Sequence, residues 1–222
     1  MYRNCEFVIR ELLEKNYPVD VVYDIGANTG VWTQQWKKIL PKSEFVLFEG
    51  NPQNKVSGEK FYNVLLSSEN DREVDFFLPD SSKSSNTGCS YYKERSLFYQ
   101  EGKSIKLKTK TLDALVIEEG LALPDFMKLD TQGSEVDILR GATETLKSCK
   151  VVLTEMPIMP YNEGAPKFSE YIDVLRDNNF IPSGVDRLAV KKQGIFNQID
   201  VVFVKDEVLQ GIHNYRQVYI DF

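Results

Sequence analysis

The sequence predicts an α/β protein, a three-layer sandwich on a mostly parallel central sheet of about seven strands, with an antiparallel last strand and a small β insertion. Two observations carry most of this reading. Short apolar runs at residues 19–23, 44–49 and 61–66 have a helical pattern between the first two, and the strand–helix alternation resumes after residue 111. Between these stretches, residues 74–79 and 105–111 alternate apolar and polar positions, as a half-exposed antiparallel pair does. No internal repeat or interdomain linker divides the 222 residues. A single domain over 1–222 is therefore expected, with an N-terminal helix within 1–17, a β-hairpin and loop insertion at 74–111 and a C-terminal tail at 206–222.

The elements follow from local chemistry. Phe7, Leu12 and Leu13 recur near helical spacing in the opening segment, which ends at Asn16-Tyr17-Pro18. Residues 29–40 carry Val31, Trp32, Trp36 and Ile39 at helical spacing, and Pro41 closes them; Trp32 and Trp36, four apart, share one face and are expected in the core. Residues 80–104 are rich in Ser, Lys, Gly and Tyr, the composition of a long loop that either covers a ligand or packs on the sheet, with Tyr91, Tyr92, Phe98 and Tyr99 as its aromatics. Helices are then expected at 112–119, 134–147 and 168–179, and strands at 126–130, 151–155 and 201–204.

Composition narrows the function. A net charge of −6 leaves no overall positive field to gather phosphates, so nucleic acid is not an expected partner. Lys37, Lys38 and Lys42, and the lysines at 103, 106, 108 and 110, read as solvated faces. The three cysteines, Cys5, Cys89 and Cys149, are widely spaced, without a C-x-x-C or a histidine at ligand spacing, so no metal is expected and a reducing compartment is. No run approaches the ~20 apolar residues of a membrane helix, and no apolar leader stands at the start. A cytoplasmic location is expected, with a homo-oligomer open.

The chemistry concentrates in Asp24-Ile25-Gly26-Ala27-Asn28-Thr29-Gly30, where a buried strand turns into an amphipathic helix. Two glycines there allow a ligand close to the backbone at a helix N-terminus. Asp24 is an awkward buried charge unless something polar engages it, and a cofactor amino group is one candidate. Glu49 ends the second strand, where a dinucleotide fold places the carboxylate that accepts from ribose hydroxyls. The spacing G-x-x-x-G lacks the turn that cradles a pyrophosphate, so a nucleoside without one fits better than NAD. Asp130 and Glu155 end adjacent strands at the carboxyl edge of the sheet and are candidates for a general base; Lys128 shares the face of Asp130 and either pairs with it or touches substrate. Glu135, in the first turn of the following helix, meets the helix dipole. His213, the only histidine, lies in the tail with Tyr215, Tyr219 and Phe222 and reads as a surface or interface residue.

The Asp-x-Gly-Ala-Asn-x-Gly turn resembles motif I of class I methyltransferases, which share a Rossmann-like fold, and particularly the FkbM family. Phe126-Met127-Lys128-Leu129-Asp130-Thr131-Gln132-Gly133-Ser134-Glu135, followed by Leu139-Arg140-Gly141-Ala142, is similar to that family's fourth-strand signature, and residues 151–155 to its fifth strand. Asn63-Val64, Asn86-Thr87-Gly88 and Thr111-Leu112-Asp113 also look like family landmarks. Two positions depart from the pattern: Gln132 stands where the family usually carries Glu, and Glu49-Gly50-Asn51-Pro52 replaces Glu-Pro-Asn-Pro.

The resemblance implies an S-adenosyl-L-methionine-dependent methyltransferase, acting on a hydroxyl of a small molecule or a sugar or glycan. It implies that Gly26, Ala27, Asn28 and Gly30 line the methionine moiety with Asp24 and Asp130 nearby, that Glu49 takes the ribose, and that Asn63 to Ser67 lie near adenine. Asp130, Glu155 and Lys128 are the expected catalytic group. The alternatives are an NAD-dependent oxidoreductase on the same fold and a catalytically silent cofactor-binding protein, the latter consistent with Gln132 replacing an acid.

Overall fold

The computed structural model describes residues 3–79, 88–95, 102–191 and 194–213. Its seven-stranded sheet runs in the order β3-β2-β1-β7-β8-β10-β9, where β1 is Val21–Ile25, β2 Glu44–Glu49, β3 Lys60–Asn63, β7 Phe126–Leu129, β8 Val151–Pro157, β9 Phe180–Val190 and β10 Phe196–Lys205. The first five strands pair in parallel, and β10 runs antiparallel to both β8 and β9. The mostly parallel sheet with an antiparallel last strand is thus as the sequence reading has it.

Strand alternation sorts the core into two layers. Tyr23, Ile25, Val46, Phe48, Met127 and Leu129 face the helices α3 (Leu112–Glu119), α4 (Glu135–Arg140), α5 (Thr145–Ser148) and α6 (Phe168–Asp177). Val22, Leu47, Phe126, Val151 and Val202 face α1 (Cys5–Glu14), α2 (Val31–Trp36) and α7 (Asp206–Ile212). The same period of two places Asp24, Glu49, Lys128 and Glu155 on the second face, toward the carboxyl edge of the sheet. Trp32 and Trp36 pack as expected, their rings 5.7 and 5.2 Å from that of fully buried Phe126.

Four expectations change. The apolar run at residues 61–66 is not one strand. β3 stays beside β2, whereas β4 (Leu65–Leu66) leaves the main sheet to pair with β6 (Lys103–Lys110), which also pairs antiparallel with β5 (Glu73–Leu78). The helix expected over 134–147 breaks at Gly141, where the backbone meets residue 67 so closely that a Cβ would stand 2.2 Å from the Ser67 carbonyl oxygen. The tail begins as a helix, α7, with Val208, Leu209 and Ile212 buried against the sheet; Tyr215, Tyr219 and Phe222 lie outside the described residues.

The fourth is β9, an eleven-residue strand containing Pro182 and Gly184 in a stretch to which the sequence pattern assigns no element. Both are tolerated because β9 is the edge strand, where a missing N–H breaks no second ladder. The N-terminal segment covers part of that edge. Val185 N donates to the Arg3 carbonyl oxygen at 3.0 Å and Cys5 N to Asp186 Oδ1 at 2.8 Å, and Gly184 leaves room for the Arg3 backbone.

The Trp32–Trp36–Phe126 contact anchors α2, and hence the turn before it, to the centre of the sheet. Phe126→Ala should lower the unfolding free energy by roughly 3–5 kcal/mol in urea titrations, while Ile117→Ala, on the exposed side of α3, should stay within about 0.5 kcal/mol of the parent.

Candidate active site

A cavity of about 450 Å³ opens at the carboxyl edge of the parallel strands, within the size range of small-molecule sites. One half is walled by Gly26 and Asn28 after β1, Glu49 and Gly50 after β2, and Val64 to Leu66. The other half is walled by Asp130, Thr131 and Gln132 after β7, by Glu155 on β8 and by Arg187 and Gln198 from the last two strands.

The turn after β1 is fixed from below. Lys128, opposite Asp24 in register, donates from Nζ to Asp24 Oδ1 and to the Gly26 carbonyl oxygen, both at 3.1 Å, and stands 3.8 Å from Asp130 Oδ2. The second Asp24 oxygen accepts from Thr33 Oγ1 at 2.7 Å. Burial alone would lower the Lys128 ammonium's pKa, but Asp24, Asp130 and Glu155 more than offset it and hold it above the ordinary lysine range. Asp24 is fully buried and both its oxygens are engaged, so the polar partner that the sequence called for comes from within the fold. Neither Asp24 nor Lys128 lines the cavity. Gly26 must be glycine: its φ is +77° and a Cβ would stand 1.9 Å from the Asp130 carbonyl oxygen.

On the β1–β2 side, the Glu49 carboxylate is fixed by two backbone N–H groups. Its Oε2 accepts from Asn28 N and its Oε1 from Asn51 N, each at 2.7 Å. Burial raises its pKa, while the two N–H groups and Lys128 pull the other way. Asn63 does not line the cavity; its amide donates to the Glu49 and Asn51 carbonyl oxygens at 3.2 and 2.8 Å and so fixes the turn that carries Glu49. Ala27 and Gly30 also lie off the cavity wall, Gly30 with φ +77° at the start of α2. Asn28, at φ +49°, accepts from Asn54 Nδ2 at 3.2 Å.

On the opposite side, Gln132 joins the two candidate bases. Its Nε2 donates to Asp130 Oδ1 at 3.1 Å and to Glu155 Oε1 at 3.0 Å. Gln132 has φ +57°, and the loop around it is held by Glu135, whose two oxygens accept from Thr131 N at 2.7 Å, Gly133 N at 3.0 Å and Tyr171 Oη at 2.6 Å. Asn162 Nδ2 adds a further bond to the Gln132 carbonyl oxygen. Glu155 also accepts from Tyr161 Oη and Gln198 Nε2. Burial raises its pKa well above the carboxylate range, and Asp130, Glu135 and Asp200 add to the effect. Asp200, opposite Glu155 in register, is pushed up to about 6 by burial and by Asp130. An amide at 132 is therefore a donor among crowded carboxylates, where the family's glutamate would add another negative charge.

Residues 88–95 form part of the cavity wall, through Gly88, Cys89, Ser90 and Glu94. Ser90 exchanges backbone hydrogen bonds with Phe77 of β5, Tyr91 and Tyr92 both donate to Asp137 Oδ2 on α4 at 2.8 and 2.6 Å, and Arg95 N donates to the Tyr161 carbonyl oxygen at 2.9 Å. Phe98 and Tyr99 fall outside the described residues. His213 is away from the cavity, its Nε2 2.6 Å from Glu11 Oε1 on α1 and 3.2 Å from Arg3 Nη1.

The family pattern described as the methyltransferase FkbM domain matches residues 24–182, most of the chain and all of the turns after β1, β2 and β7. The chain belongs to the FkbM methyltransferase family. This sets aside the oxidoreductase alternative. Among relatives of this FkbM domain, the 2-O-methyltransferase NoeI of Sinorhizobium fredii is 27% identical over 199 residues, 80% of each chain. The hexuronic acid methyltransferase AglP of Haloferax volcanii is 28% identical over 161 residues, 69% of this chain and 63% of its own. A crystal structure of an FkbM methyltransferase from Methylobacillus flagellatus superimposes with a TM-score of 0.47 at 9% identity, over 84% of this chain and 43% of the other.

A glutamate at 132 would face Asp130 and Glu155, and the native state would keep a proton that the unfolded chain has lost. The destabilisation by Gln132→Glu should therefore grow as pH rises, by roughly 1–2 kcal/mol between pH 5 and pH 8 in urea titrations; a pH-independent difference would show that the three side chains do not interact.

Proposed function

We propose that this FkbM methyltransferase uses S-adenosyl-L-methionine and transfers the methyl group to a hydroxyl of a sugar or glycan. The observation that carries the reading is the Glu49 carboxylate, fixed at the cavity by Asn28 N and Asn51 N and opposite the Asp130–Glu155 pair. An ionised carboxylate only accepts hydrogen bonds, and vicinal ribose hydroxyls supply the donors. The wall fits a nucleoside in two further respects. Val64, Leu65, Leu66 and Phe76 offer an apolar surface for a base, and Thr131 Oγ1 is buried at the wall without a hydrogen-bond partner among the described residues.

When bound, the cofactor supplies a methyl group on a sulfonium sulfur. The rest falls to this chain. The turn at 26–28 and Glu49 would hold the donor, with Lys128 and Asp24 keeping that turn in place from beneath. The acceptor hydroxyl would face Asp130 and Glu155, and as its oxygen gains the methyl its proton would pass to that carboxylate pair. Lys128 acts through Asp24, Gly26 and Asp130. Two relatives named for a 2-O-methyl transfer and for hexuronic acid support a hydroxyl-bearing sugar as acceptor. Among the described residues no helix is long and apolar enough to cross a membrane, and the buried Cys5 and Cys149 form no disulfide, which fits a reducing, cytoplasmic setting.

Calorimetric titration tests the donor. S-adenosylhomocysteine should bind in the micromolar range, and Glu49→Gln should weaken it by about 10- to 100-fold, the loss expected for hydrogen bonds to a charged group. Unchanged affinity in a variant that unfolds at the parent temperature would remove Glu49 from the site.

A further inference from the structure

Among the described residues, the acceptor half of the cavity carries one cation. Arg187 on β9 is the only lysine, arginine or histidine among the described lining residues, and it shares that end with Asp130, Glu155, Glu94 and Gln198. Arg187 is exposed and forms no hydrogen bond or ion pair with another described residue. The lack of a direct contact is informative because a carboxylate is within electrostatic reach: the Arg187 charge opposes the upward shift of Asp200. Asp200 lies opposite Arg187 in register on β10, and its Oδ1 is buried without a partner. A guanidinium beside an unengaged carboxylate oxygen would ordinarily close on it; here it is left available at the cavity mouth.

The register also sets a distance. Glu155 on β8, Asp200 on β10 and Arg187 on β9 are partners across three neighbouring strands, so two strand spacings, roughly 10 Å, separate the backbone positions of Glu155 and Arg187. A single sugar ring spans that interval once both side chains reach inward. The carboxylates at the Glu155 end repel an anion, which leaves Arg187 as the place where a negative group is tolerated. A guanidinium also matches a carboxylate in a planar two-bond fork, which a neutral hydroxyl cannot reproduce.

We propose that Arg187 is the anion-recognising residue of the acceptor site and that the acceptor is an acidic sugar, its carboxylate on Arg187 and a ring hydroxyl facing Asp130 and Glu155. The assignment rests on the sugar-methyltransferase reading above. Arg187 is then a specificity residue: it selects and orients the ring without taking part in proton transfer.

The test compares matched acceptors with the full-length protein and labelled S-adenosyl-L-methionine. The probes are methyl glucuronides and methyl galacturonides, their neutral methyl esters, and the corresponding methyl glucosides and galactosides. At least one uronide should show kcat/KM about tenfold or more above its ester and its neutral glycoside, a preference that shrinks as salt rises from 50 to 500 mM. Arg187→Gln should abolish the preference mainly through KM. Arg187→Lys should keep part of it, and Arg176→Gln, on the far surface of α6, should keep all of it.

Equal or better transfer to the esters and glycosides, or an unchanged preference in Arg187→Gln, would overturn the acidic-sugar assignment while leaving the enzyme a sugar methyltransferase. Donor binding with no transfer to any probe would also overturn it. Failure to bind the donor would instead strike the underlying functional reading, so the two failures are distinct.

Discussion

The buried Lys128 ammonium is the constraint on which the site depends. It sits between the two central strands, reaches Asp24 on one and the Gly26 carbonyl oxygen at that strand's end, and lies 5.8 Å from the centroid of the Trp32 ring. Such a pair does not have to stabilise the fold, because desolvating both ions costs about as much as their attraction returns. What it contributes is position. Asp24 has Thr33 of α2 on its other oxygen, so one ion pair ties β7, β1 and α2 together directly beneath the turn that meets the cavity. Losing the ammonium would strand a fully buried carboxylate and free the turn at once.

The remaining charges follow from strand parity. Glu49, Lys128 and Glu155 fall on the same face as Asp24, and of these four Glu49 and Glu155 line the cavity. The two halves of the site then differ in kind. Glu49 is fixed by two backbone N–H groups, which with Lys128 oppose the upward shift that burial gives its pKa. Glu155 has its pKa raised by burial and by other carboxylates, and is surrounded by amide and phenol donors. The first environment suits a binding group and the second a proton acceptor. Residues 88–95 complete the enclosure, tied to β5, to α4 and to Tyr161.

Much of this architecture was legible in the sequence because it rests on local patterns. Apolar runs of strand length, a strand–glycine–helix turn at 24–30 and carboxylates at strand ends are visible without coordinates, and they located the cavity at the sheet edge. What escaped was made by tertiary context. β9, an edge strand that accommodates Pro182 and Gly184, has no clear apolar pattern of its own, and with it went the setting of Arg187. Gln198 and Tyr161 join Glu155 from sequence positions with no motif of their own. Asp24 and Lys128 were conspicuous as charges in apolar strands, but that they engage each other is a matter of register between strands 104 residues apart. The Gln132 departure likewise became intelligible only once its amide was seen to bridge two carboxylates.

The most direct test of this account is a crystal structure of the protein with S-adenosylhomocysteine bound. The account predicts the nucleoside in the cavity with both ribose hydroxyls within about 3 Å of the Glu49 carboxylate, the base against Val64 to Leu66, and the sulfur on the side of Asp130. A ligand whose ribose lies elsewhere, with Glu49 still engaged only by Asn28 and Asn51, would contradict it.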